Sequence, residues 1–546
     1  MHLPLLGAAL AFTNFLQAPA QPPVDKNKVT FEMTIVHTND LHGHWEPTKI
    51  GDDTYGGYAR LATLIKKYRA EDPDLLLVDA GDVFQGTLYF NVYQGMADLT
   101  FLTRMGYRAM AVGNHEFDLG PEVLANFARR APFPLLSCNL DLDNEPALKG
   151  LIKPYTIVTI KGEKVGLIGA TTPDLPMISS PGPNVKVEEP IHAIEEAVED
   201  LEKQGVNKIV LLSHLGYTLD KEVVRKVREI DVVVGGHSHT LFTEDRNAPY
   251  GKREASYPTY FYRAESEDKD KPEPGGEGPG QVPEDCSIIV SSFEWGKVLG
   301  HIKARFNYRG WLAGWRDAAA IPVDGTVAED PEIAALKDAF SRPIDGARKQ
   351  VIGTAKDRLN GDRAVVRKSE STMGDLIADS MVEAGKLANV QFAIVNGGGV
   401  RNSIEPGQIT VEAIYNVLPF GNGITFVELT GAEVLAAFEH GASGWEAGDG
   451  MFPHVSEGVK LTYDMKKPKG SRLVSASLNG QPFDAKKVYN VAVNSFIARG
   501  GDGYTVLARA KGRRIESGVL DSECLLRLVR ARGTVSAPAL GRVTVN

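Results

Sequence analysis

The sequence predicts an α/β protein built as a larger N-terminal α/β unit and a smaller α+β C-terminal unit, joined by a helix. Three observations carry that expectation. At 546 residues the chain exceeds what one hydrophobic core organises. Between about residues 30 and 240, short apolar runs alternate with helix-like segments, the pattern of βαβ units. Five runs also empty directly into His, Asp or Asn: "TIVHTNDLHGH" (34–44), "LLLVDAGD" (75–82), "VGNHEFD" (112–118), "IVLLSHLG" (209–216) and "VVVGGHSH" (232–239). Groups at the carboxyl ends of strands in an open α/β sheet converge on one crevice, so these motifs are expected to meet there.

The elements follow in chain order. Residues 1–20 read as an export signal, with an apolar run too short to span a bilayer ending at Ala18-Pro19-Ala20. Strands are expected at 31–36, 75–78, 109–112, 157–160, 165–169, 209–212 and 231–234, with helices over "ARLATLIKKYRA" and "PIHAIEEAVEDLEKQG". The stretch 263–285, charged and rich in Pro and Gly, reads as a mobile surface insertion. "SSFEWGKVLGHIKARFNYRG" (291–310) reads as further strands covering the first layer, and 330–351 has the spacing of a connecting helix. Beyond it, strands at "FAIVNGG" and "VYNVAVNSF" and helices at "MGDLIADSMVEAGKL" and "GAEVLAAFEHG" form a second unit. The expected boundaries are 30–325, a linker at 326–350, and 351–546.

Composition excludes several classes. A formal net charge of -10 lacks the basic face of a nucleic-acid binder, and no stretch after the leader approaches a membrane span. Three cysteines, Cys138, Cys286 and Cys524, are far apart and form no CxxC, so neither a disulfide framework nor a cysteine zinc site is indicated. For Cys138 a small buried apolar role is expected.

Asp40, His42, Asp82, Asn114, His214, His237 and His239 all sit at or just beyond strand ends. Oxygen and imidazole donors without thiolate suit Zn²⁺, Mn²⁺, Fe or Mg²⁺. Seven donors exceed the need of one tetrahedral ion and suit two ions bridged by a carboxylate, an arrangement used in hydrolytic phosphoryl transfer.

The ordered set "HTNDLHGH", "GDVFQGT", "GNHEFDLG", "SH" and "GGHSH" resembles the calcineurin-like metallophosphoesterases, and within them the 5'-nucleotidase and UDP-sugar hydrolase branch, over roughly 30–310. The resemblance implies a four-layer α/β/β/α metallophosphoesterase sandwich and two divalent metal ions, Zn, Mn or similar. Asp40, His42, Asp82 and His239 would hold one ion, and Asp82, Asn114, His214 and His237 the other. His115 and Asp118 would form a catalytic dyad. Further on, "NGGGVR" (396–401), "LPFGN" (418–422) and "NSFIARGGDGY" (494–504) are similar to the 5'-nucleotidase C-terminal domain. That implies a nucleobase held between Phe420 and Phe496, ribose hydroxyls accepted by Asp502, and phosphate or ribose gripped by Arg367, Asn396 and Arg401. It also implies rotation of the two units about the linker.

The functional expectation is an exported, soluble, periplasmic or secreted 5'-nucleotidase that takes a nucleotide substrate and releases phosphate by hydroxide attack, with UDP-sugars as further candidate substrates. The same ligands suit a 2',3'-cyclic-nucleotide phosphodiesterase with 3'-nucleotidase activity, and many of them a sulfate-thiol hydrolase. The alternative outside catalysis is a surface nucleotide-binding or adhesion protein. The sequence carries no signal for oligomeric state.

Overall fold

The structure, a computed structural model, describes residues 29–50, 53–262 and 286–546. The expected export signal and the insertion at 263–285 lie outside the described residues.

Two sheets dominate the first unit. Val29–Thr38 pairs in parallel with Leu76–Asp79 and antiparallel with Val298–Asn307 in a seven-stranded sheet. Glu163–Thr171, Ile209–His214 and Val232–Gly235 run parallel within a six-stranded sheet. Period-two alternation divides the first sheet's residues between two cores. Met33, Ile35, Leu76 and Val78 face the second sheet, whereas Val36, Leu75 and Leu77 face the helices Tyr58–Glu71 and Met96–Met105. In the second sheet Ile209, Val210, Leu211 and Leu212 are all buried, because both faces are covered. The helices Pro190–Lys203 and Tyr217–Lys226 supply that outer cover, completing an α/β/β/α sandwich. At Gly169 the two sheets come so close that an added Cβ would stand 2.2 Å from the Leu136 carbonyl oxygen.

One expectation needs correction. Residues 291–297 form a loop, and the strands after it, Val298–Asn307 and Leu312–Pro322, extend the edge of the seven-stranded sheet instead of covering it. Positive φ angles at Phe293 (68°), Trp295 (57°) and Gly296 (64°) break the extended backbone there.

The connecting helix is Pro331–Arg348, opened by Pro331 and capped by the Asp330 carboxylate, which accepts from the Ile333 N–H at 3.1 Å. At its other end the buried Arg348 guanidinium joins Glu46 of the first unit (2.7 Å) to Glu412 of the second (2.7 Å). The second unit is built on a five-stranded sheet that includes Phe392–Asn396, Gly423–Thr430 and Val488–Asn494. Thr372–Ala384 and Asp521–Arg532 cover one face and Gly431–Gly441 the other. All three cysteines are free; Cys286 and Cys524 are buried, and Cys138 is partly buried against the core between the two large sheets. No described helix is long and apolar enough to cross a membrane.

Gly169→Ala should wedge the sheets apart at about 1–3 kcal/mol, read as a lower midpoint in urea unfolding. An unchanged midpoint would mean that the sheets tolerate the extra methyl at this point.

Candidate active site

The carboxyl ends of strands from both large sheets meet at one place, as the motif pattern requires. Five of the side chains there sit on left-handed backbone: Asp40 (φ 50°), His42 (48°), Asp82 (58°), His237 (71°) and His239 (51°). Such a conformation costs a non-glycine residue about 1–3 kcal/mol and persists only where the surroundings impose it. Here it turns the chain sharply after each strand, so that the side chains point back over the strand ends. The glycines beside them serve the same crowding. A Cβ at Gly81 would lie 2.8 Å from His214 Nδ1, and one at Gly236 would lie 3.2 Å from an Asp40 oxygen.

Hydrogen bonds on the far side of each ring settle which imidazole nitrogens face inward. His42 Nδ1 is 3.0 Å from the Phe84 carbonyl and His214 Nδ1 is 2.7 Å from the Ala80 carbonyl. His239 Nδ1 is 2.5 Å from the Glu294 carboxylate. These oxygens accept, so each Nδ1 donates and each Nε2 is turned inward, where a neutral ring offers its lone pair to a cation. His42 Nε2 and His239 Nε2 then face each other at 3.2 Å, with Asp40 Oδ1 3.2 Å from His239 Nε2. Burial holds His42 well below the usual imidazole pKa, which keeps its ring neutral. Nearby, the buried His214 Nε2 has no hydrogen-bond partner although Asp82 Oδ2 lies 3.1 Å away. His237 Nδ1 is 2.9 Å from Asn114 Oδ1, and the ligand atoms of Asp82, His214 and His237 all lie within 4.8 Å of one another. Facing lone pairs repel, and a cation between them converts that repulsion into coordination. The donor set therefore fits two divalent cations, one beside Asp40, His42 and His239 and one beside Asp82, His214 and His237, with Asp82 within 3.9 Å of His42 Nε2 as well.

His115 sits beside this cluster. Its Nδ1 bonds Asp118 Oδ2 at 2.6 Å, and Asp118 Oδ1 accepts from Ser179 Oγ at 2.7 Å. His115 Nε2 is left toward Asp82, 3.9 Å from Oδ2. Burial opposes protonation of the ring, but the Asp118 and Asp82 carboxylates outweigh it and raise its pKa above the usual value.

The second unit supplies the facing wall. Asp82, Asn114, His115, Asp118 and His237 share a cavity of about 750 Å³ with Arg367, Asn396, Arg401, Phe420, Phe496 and Asp502. The Phe420 ring centre is 5.6 Å from that of His115, and the Arg401 guanidinium lies 5.7 Å from the Phe420 ring. Arg367 Nη1 donates to the Gly448 carbonyl at 3.1 Å, and Asn396 Nδ2 donates to Asp502 Oδ2 at 2.6 Å. Burial, reinforced by Arg363, pushes the Arg401 pKa down to about 10, so an anion here relieves uncompensated positive charge. All fifteen expected site residues belong to this one region.

Comparison with known proteins gives the same two-part picture. Residues 33–241 match the calcineurin-like phosphoesterase family, and residues 351–509 match the 5'-nucleotidase C-terminal domain. The chain is 35% identical over 539 residues to a 5'-nucleotidase of Diplobatis ommata, covering 94% of this chain and 90% of that protein. The chain belongs to the 5'-nucleotidase family. As a member of it, the protein is a phosphoric ester hydrolase. It is also 33% identical to a trifunctional nucleotide phosphoesterase of Bacillus subtilis, covering 96% of this chain and 35% of that protein. A crystal structure of a 5'-nucleotidase precursor from Thermus thermophilus is 42% identical and superposes with a TM-score of 0.87, over 94% of this chain and 99% of that one.

Four further residues of this 5'-nucleotidase family member shape the site. The buried Glu116 carboxylate accepts the N–H groups of Asp82 (3.0 Å), Val83 (2.8 Å), Phe84 (3.1 Å) and Gly113 (2.7 Å), tying two strand-end loops together. Asn39 Nδ2 donates to Asp40 Oδ2 at 2.7 Å while its Oδ1 accepts from the Ser292 N–H at 2.7 Å. Glu294 orients His239 from the 291–297 loop, and Lys297 with His239 holds its carboxyl well below the usual range against the cost of burial. Arg363 lines the cavity beside Arg367 and Arg401. Glu116 and Asn39 stand inside the motifs, and "GDR" before Arg367 places Arg363 one helical turn away, so each had a signal in the sequence. Glu294 had none.

Glu116→Gln replaces an acceptor with an amide whose N–H groups oppose the backbone donors. It should cost about 1–3 kcal/mol and lower metal content measured by inductively coupled plasma spectrometry. Full stability together with full metal loading would contradict this role.

Proposed function

We propose that the protein is a two-metal 5'-nucleotidase that hydrolyses nucleoside 5'-monophosphates to nucleoside and phosphate. The observation that carries the reading is the shared cavity, in which the imidazole and carboxylate cluster of one unit faces the arginines and phenylalanines of the other. Asp40, His42, Asp82 and His239 would hold one cation, and Asp82, Asn114, His214 and His237 the second. Such cations, when bound, lower the pKa of water and withdraw charge from phosphoryl oxygens.

The chain's own side chains do the rest. His115, protonated and oriented by Asp118, donates from Nε2 to the phosphoryl group or the leaving oxygen. Arg363, Arg367 and Arg401 hold the remaining phosphoryl oxygens through charge-assisted hydrogen bonds. Asp502 accepts from the sugar hydroxyls. Phe420 and Phe496 stack the base, which tolerates any base because every base has a π face. Export is supported by the apolar leader ending at Ala18-Pro19-Ala20. A second reading, hydrolysis of 2',3'-cyclic and 3' nucleotides or of UDP-sugars by the same cluster, has the relative named as a trifunctional nucleotide phosphoesterase in its favour.

Phosphate release from 5'-AMP, 3'-AMP, 2',3'-cyclic AMP and UDP-glucose separates these readings. The expected order puts 5'-AMP first, with its KM raised about 5- to 150-fold in Phe496→Ala, the equivalent of about 1–3 kcal/mol of stacking. Preference for a cyclic or 3' substrate would overturn the 5' assignment.

His115→Ala should lower kcat by about 10²–10⁴ with metal content unchanged. Loss of metal along with activity would make His115 a ligand instead.

A further inference from the structure

Asp502 stands on a short turn that ordinary residues avoid. Its φ is 50°, between Gly500 (102°) and Gly503 (75°). Two sets of contacts hold it. On the side-chain side, Asn494 Oδ1 accepts the Ile497 N–H at 3.0 Å, so Asn494 Nδ2 must point the other way, to Asn396 Oδ1 at 2.8 Å. Asn396 Nδ2 is thereby aimed at Asp502 Oδ2, which occupies one carboxylate oxygen and leaves Oδ1 for a ligand. Every amide orientation in this relay follows from the backbone N–H at its start. That N–H opens the helix Ser495–Ala498, which carries Phe496.

On the backbone side, the Asp502 carbonyl is 2.8 Å from His440 Nε2. A carbonyl only accepts, so Nε2 carries the hydrogen. His440 comes from the last turn of the helix Gly431–Gly441 and lines the same cavity. Tyr504 meets its ring edge-on at 4.8 Å and anchors itself by donating from its hydroxyl to the Met451 carbonyl at 2.6 Å. The fit is close enough that a Cβ on Gly503 would stand 2.9 Å from His440 Cε1. No motif pointed to His440, and the reaction has no use for it as an acid or base at this place.

We infer that His440 is a positioning residue: by donating to the Asp502 carbonyl it fixes the left-handed turn that aims the Asp502 carboxylate at the sugar, and so sets the preference for ribonucleotides over 2'-deoxyribonucleotides. The inference rests on the proposed role of Asp502 toward ribose hydroxyls. A carboxylate turned away by even a fraction of an ångström loses a hydrogen bond to a hydroxyl, and the 2'-hydroxyl is what the two substrate classes do not share. Gln is the informative replacement, because its Nε2 reaches about as far as the histidine Nε2 and keeps the donor.

The test compares kcat/KM for 5'-AMP, 2'-deoxy-5'-AMP and the sugar-free p-nitrophenyl phosphate in the metal-loaded enzyme. His440→Leu should raise KM for 5'-AMP about tenfold, bring the ribose-to-deoxyribose ratio toward one, and lower 5'-AMP relative to p-nitrophenyl phosphate. His440→Gln should retain most of the wild-type ratio. His440→Met, which keeps a side chain of similar size without a donor, should reproduce the loss if the leucine variant does not fold. A ratio unchanged in His440→Leu and His440→Met but removed by Asp502→Asn overturns the role of His440 alone. A wild-type ratio near one that Asp502→Asn leaves unchanged overturns the reading of Asp502 itself. Equal loss in the Gln and Leu variants overturns the hydrogen bond as the cause.

Discussion

Imidazole nitrogens and carboxylate oxygens crowded together repel unless a hydrogen or a cation stands between them, and this protein collects several of them at a single point. His42, His214 and His239 each turn Nδ1 to an outward acceptor, and each Nε2 points inward among Asp40 and Asp82. A cation satisfies that set without any ring having to take a second proton. The rest of the architecture supports it: two sheets whose strands end at the same level, five residues in left-handed backbone, and glycines wherever a methyl would intrude. The sandwich is the means by which side chains from positions 40 to 239 are delivered to a volume a few ångströms across.

Strain of this kind has to be balanced elsewhere, and the compensating contacts are identifiable. Glu116 collects four backbone N–H groups from two loops, Asn39 braces Asp40, and Glu294 with Lys297 braces His239. Glu116, Asn39 and Glu294 bond directly to the cluster's own residues or to their backbone, from behind. Their hydrogen bonds hold the cluster's side chains in place, which is the condition for a site that reacts without first reorganising.

Much of this was legible in the sequence, for a physical reason. Strand ends, turns and donors lie within a few residues of each other in "TNDLHGH" or "VGGHSH", so local order records local chemistry. The linker helix and the principal strands were legible for the same reason, through period-two and helical spacing. What the sequence could not record was contact between distant segments. Glu294 serves a residue 55 positions earlier, and His440 holds a carbonyl 62 positions later. The 291–297 loop looked like a strand because Phe293 and Trp295 fall two residues apart among polar neighbours, whereas the backbone bends there to carry Glu294 inward. Glu116 stood in plain view inside "GNHEFD", but its neighbours invited a reading as ligands, and only the hydrogen-bond pattern separates a brace from a donor.

The cavity's two walls belong to units joined by one helix, and the Arg348 guanidinium at that helix's end touches carboxylates on both sides. A molecule in the cavity therefore has no complete site on either half. Its affinity is shared between two surfaces whose mutual concentration is set by the linker, as in an intramolecular bivalent contact. Such a ligand acts as a clasp. By linkage, any change that drew the two walls apart would weaken binding by the same free energy with which binding would hold them together.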